Sequence, residues 1–117
     1  MSGGAHHPAG LAPGAVVIAY LQGPRDRYWG ILGSIDTAGI VIHGIDLHAF
    51  DDWTRQVAEG REGLSPSTVF FPLARVEKIL LDSPAGEIPS LQDQFESRTG
   101  RALVEVLGRG GRTAGQA

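Results

Sequence analysis

Apolar residues gather in short runs separated by tight turns. AVVIAYL (15–21) starts just past Pro13-Gly14 and is rich in β-formers. QGPRDR (22–27) is a turn, and YWGILGSI (28–35) is a second run with Gly30 and Gly33 inside it. DTAG turns again into GIVIHGIDL (39–47), which carries Gly44. Glycine inside a strand weakens it unless it permits a bulge or a sharp bend. The period then changes. Asp51 fits a helix N-cap, Trp53 and Val57 share a helical face, and Gly60 fits the stop, so a short helix is expected near 51–60. TVFFP (68–72) reads as a fourth strand, ended or held at an edge by Pro72, and LARV as one tight turn into a fifth, VEKILLD (76–82). Ser90 with Asp93, Leu91 with Phe95, and Gly100 as the stop predict a helix near 90–99. ALVEVL (102–107) suits a sixth strand or a helix, and six residues cannot decide by period.

Short strands with internal bend glycines suit a mostly β fold: a small, strongly bent five-stranded barrel with a helical insertion and a C-terminal helix. At 117 residues the chain is expected to be one domain, residues 15–107, between disordered tails at 1–14 and 108–117. The tails hold His6, His7 and one GRGGR segment, too sparse to read as a site. There is no cysteine, hence no disulfide or thiolate chemistry. No apolar run approaches a membrane span or signal peptide, so the default expectation is a cytoplasmic protein with no membrane partner. Over residues 15–99 seven Lys and Arg face twelve Asp and Glu, a formal balance of −5 that disfavours phosphate backbones.

Chemical density peaks in HGIDLHAFDDW (43–53). Imidazoles and carboxylates suit a zinc-type ion, but His43 and His48 are an odd number apart and face opposite sides of a regular strand. Asp46 and His48 share a face and could act as an acid–base pair. The plainer reading is architectural: polar groups wrap the corner where the chain leaves the sheet, while Phe50 and Trp53 pack back on the core. No metal is assigned on this pattern and no cofactor is called for. No nucleophile elbow, P-loop or dinucleotide fingerprint is present. A second candidate is Arg25, Arg27, Tyr28 and Trp29, the residue types that dominate binding hot spots and stack on bases. Against it stands the simple burial of Trp29.

Gly30-Ile-Leu-Gly-Ser-Ile-Asp36 followed by Ile40-Val41-Ile42 resembles the first motif of Sm-like small barrels, and Val76-Glu-Lys-Ile79 resembles their closing strand in hydrophobic pattern. The resemblance spans about residues 15–82. It implies a ring or other homo-oligomer. It does not extend to the family's RNA pocket: Ile40 stands where that pocket has asparagine, and Arg75 is followed by Val76 rather than glycine. Ser34-Ile-Asp36-Thr-Ala-Gly39 is fainter, similar to a PilZ motif with serine and aspartate exchanged. The expectation is a non-enzymatic interaction or assembly module, homo-oligomeric, open to a protein partner and without nucleic acid as main ligand. Two alternatives stay open. One is a small metal protein or enzyme using His43–Asp52. The other is nucleotide or RNA binding through Arg25–Trp29, and the candidate binding residues are Arg25, Arg27, Tyr28, Trp29, Asp46 and His48.

Overall fold

A computed structural model describes residues 10–61 and 63–108. Five antiparallel strands form one sheet: β1 (Val16–Leu21), β2 (Asp26–Ile35), β3 (Gly39–Asp46), β4 (Ser67–Pro72) and β5 (Val76–Leu81). Their spatial order is β4-β3-β2-β1-β5. The two edge strands are therefore neighbours in sequence, joined by a single 3-10 turn, Leu73–Arg75. A flat five-stranded sheet would hold its edges about 19 Å apart. Three intervening residues reach only about 14 Å fully stretched, and less in a 3-10 turn. The sheet must bend.

The bend glycines read from the sequence take their places. Gly30 and Gly44 lie opposite each other in the β2–β3 ladder. A Cβ on either would overlap the backbone of the other strand, so only glycine allows this approach. At Gly33 the register shifts by one residue. Leu32 and Ile35 thus both pack in one cluster, although they are an odd number apart.

Alternation sends β-strand residues to two cores. One face gathers Val17, Ala19, Leu21, Leu32, Ile40, Ile42 and Phe71. The other gathers Trp29, Ile31 and Ile45, covered by Phe50 and Trp53 of α1 (Phe50–Ala58), Phe95 of α2 (Leu91–Thr99), and Leu103 and Leu107 of α3 (Leu103–Leu107). Ser90 caps α2 by accepting from the Asp93 N–H at 3.0 Å, and Gly100 ends it in the left-handed region at φ 73°. Asp82 ties the layers together. Its carboxylate accepts from the N–H groups of Leu91 and Gln92 at 2.8 and 2.7 Å and from the Trp29 indole at 3.2 Å.

Three expectations need correction. The sheet does not close into a barrel. It is open, with β4 and β5 as separate edges, and Pro72 at the end of β4 has no N–H to offer a closing ladder. The helical part exceeds one insertion and one C-terminal helix: about 39% of the described residues are strand and 31% helix, which makes the fold a bent sheet with a helical layer on one face. Residues 103–107 are the third helix, because Leu103 and Leu107 at i, i+4 both reach the apolar core. Finally, Asp51 is not the cap of α1. A 3-10 turn, Leu47–Ala49, runs straight into the helix, and Phe50 bonds back to the Leu47 carbonyl. Asp51 sits in the first turn and pairs with Arg98 of α2 at 3.0 Å. Of the expected N-terminal tail, residues 10–14 lie against the sheet, with Leu11 packed on the Val17 cluster and the Gly14 N–H donating to Leu32 at 2.7 Å. Residues 1–9 and 109–117, with His6, His7 and most of GRGGR, fall outside the described residues.

Candidate functional site

Register decides which polar side chains meet. Tyr28 pairs with Asp46 in the antiparallel β2–β3 ladder. Two residues further out, the start of β2 therefore faces the residue two past Asp46, so Asp26 lies by His48. Asp46 bends the chain there: its Oδ1 accepts the His48 backbone N–H at 2.8 Å. That turn returns the imidazole over both carboxylates. His48 Nδ1 is 3.1 Å from Asp46 Oδ1 and 3.5 Å from Asp26 Oδ1. The three side chains place one ligand-type atom each within 4.8 Å of one another. Burial pushes the Asp46 carboxyl up. Hydrogen bonds from His48, contact with Asp26 and the His48 charge outweigh it and hold Asp46 below the usual carboxylate range.

Beside this group opens a cavity of about 350 Å³, lined by Tyr20, Arg25, Asp26, Arg27, His48 and Glu77 among others. Arg25 and Arg27 are exposed at its rim. The turn that carries Arg25 is braced from behind, since Arg75 donates to the carbonyls of Gln22 and Pro24 at 2.7 and 2.8 Å. A larger cleft of about 780 Å³ lies elsewhere, between Val16, Ile31, Leu81, Leu103 and Val104. Its carboxylate, Asp82, is engaged by α2 and Trp29.

The residues singled out in the sequence divide into two sets. Arg25, Arg27, Asp46 and His48 come together at one end of the sheet. Trp29 does not join them. It is fully buried, edge-on to Phe50 at 5.0 Å and tilted against Trp53 at 6.0 Å, and presents no surface for stacking. Tyr28 is half-buried on the opposite face, edge-on to Phe71 at 5.3 Å, and its hydroxyl donates to the Gly44 carbonyl at 3.0 Å. Burial first, and the Asp46 charge second, raise the Tyr28 pKa. His43 is apart from His48, as the odd spacing predicts, and its Nδ1 meets Thr68 Oγ1 across the β3–β4 ladder at 2.8 Å. Burial lowers its pKa, opposed by a contact with the Leu107 backbone. Asp26 is the residue the sequence reading passed over. The clue was the length of the β2–β3 hairpin, but the extra residue at Gly33 hides the register that brings positions 26 and 48 together.

Asp36, shared by both family resemblances, builds the turn after β2: its Oδ1 accepts from the Ala38 N–H at 2.8 Å. No protein-family model, curated protein or solved structure matches the chain. Among the described residues no helix is long and apolar enough to cross a membrane.

Proposed function

We propose that the chain is an Sm-like assembly module that works by binding rather than catalysis, and that its first partner is a second copy of itself. The carrying observation is the open sheet: β4 and β5 each have one side without a ladder. An unpaired edge is a template for another strand unless charge, proline or a bulge blunts it. β4 contains no charged residue, its one proline stands at its last position, Pro72, and Phe70 within it is 53% exposed. The β5 edge carries the charged Glu77 and Lys78 in its first half and offers Leu80 and Leu81, also exposed, in its second. The edges are six residues each, long enough for β4 of one copy to pair with β5 of the next. The strand order and the 3-10 link between the last two strands are in keeping with the Sm-like reading.

Nucleic acid is not part of the proposal as main ligand. Ile40, at the position of the family's pocket asparagine, is fully buried, and the folded region is acidic. The burial of the Trp29 ring speaks against a base stacked on it. The test is light scattering at high micromolar concentration. The wild type is expected as an oligomer, and Phe70→Glu and Leu80→Glu, both at exposed positions, as monomers with unchanged circular dichroism. A monomeric wild type, or assembly that survives both substitutions, rejects the proposal. Salt-sensitive micromolar binding of uridine-rich RNA would replace it with the nucleic-acid reading.

A further inference from the structure

We propose that Asp26, Asp46 and His48 bind a divalent transition-metal ion of the zinc type, with at least one coordination position open to the neighbouring cavity. The inference is independent of self-association. Zinc takes imidazole nitrogen and carboxylate oxygen at about 2.0–2.2 Å, so adjacent ligand atoms in its shell lie roughly 3.0–3.5 Å apart. The imidazole nitrogen is already 3.1 and 3.5 Å from the two carboxylate oxygens. Small side-chain adjustments then suffice to place one ion between all three. His48 is free to make its share, since its side chain is 80% exposed.

Charge supports the same assignment. Two carboxylates converge here, and Arg25 and Arg27 flank Asp26 in sequence. Yet among the described residues no Lys or Arg side-chain nitrogen forms an ion pair with Asp26 or Asp46: Asp26 Oδ1 accepts the Arg27 backbone N–H at 2.9 Å, and the only basic ion-pair partner of either is His48. The arginines instead line the cavity on which Asp26 and His48 open. A cation held by the three ligands would face that cavity with a free position, and Arg25 and Arg27 would favour an anionic group there. The mixed nitrogen–oxygen set selects a zinc-type ion over magnesium or calcium, which prefer oxygen alone. The other histidine of the segment takes no part, because His43 is held by Thr68 on a different strand pair.

Titration calorimetry of the metal-free full-length chain with zinc chloride tests the site. A single ion per chain is expected. Asp26→Asn and His48→Gln, both at solvent-accessible positions, should each weaken binding roughly tenfold or more. His43→Ala and a His6→Ala/His7→Ala double variant should bind as the wild type does. Zinc should raise the melting temperature of the wild type more than that of Asp26→Asn at the same zinc concentration. Absence of zinc binding overturns the proposal. So does binding that survives in Asp26→Asn and His48→Gln, or that disappears with His6 and His7.

Discussion

Trp53 is only 2% exposed, lies parallel to Phe95 at 4.8 Å and leans on Trp29. Removing it leaves a void where α1, α2 and the sheet meet. Trp53→Ala is expected to cost about 3–5 kcal/mol, and His43→Ala or His48→Ala about 0.5 kcal/mol in metal-free protein. Thermal unfolding of the three variants in chelator checks this, and histidine variants that fall as far as Trp53→Ala would refute it. His43 acts on pH dependence instead. Burial lowers its folded pKa, so the unfolded imidazole, titrating near 6.5, takes a proton at a pH where the folded one stays neutral. Its contribution to stability is full above about pH 6.5 and declines as pH falls through the folded value. His43→Gln should therefore lose less stability than the wild type between about pH 7 and pH 5, read as denaturant midpoints along the series.

At the scale of elements, Asp82 is the joint between sheet and helical layer. It follows β5 directly and accepts from two N–H groups at the start of α2 and from the Trp29 indole. Asp82→Ala leaves three donors without that acceptor, which predicts a loss of roughly 1–3 kcal/mol and faster amide exchange in α2 than in β2. Equal exchange in both would show that the joint is not needed. The strands and the ends of α2 were legible in the sequence because they depend on neighbours: period-two alternation, turn residues, Ser90 as cap, Gly100 as stop. What depends on distant partners was not legible. The bulge at Gly33 appears only once β3 is in place, and it sets both the face of Ile35 and the meeting of Asp26 with His48. Trp29 could be read as a binding residue or a core residue until α1 and α2 were seen to cover it. Closure was over-read because bend glycines show that a sheet curves but not that its two edges pair.

For the whole molecule, the proposed pairing of edges would make stability a matter of concentration as well as sequence. If β4 and β5 of successive copies pair, dilution removes ladder bonds and Phe70 burial together. The melting temperature of the wild type should then rise with protein concentration, while that of Phe70→Glu stays constant. The two edges are different strands, and this has a consequence of its own. A two-fold pair through one edge would leave the other edge bare on both partners. Unlike edges joined head to tail instead propagate a fixed rotation from copy to copy. If that rotation divides a full circle the array shuts on itself and stays soluble; if it does not, growth has no natural end and the product is a filament. In such an array the angle between β4 and β5, set by the three residues Leu73–Arg75 and by the bend at Gly30 and Gly44, would decide how many copies assemble.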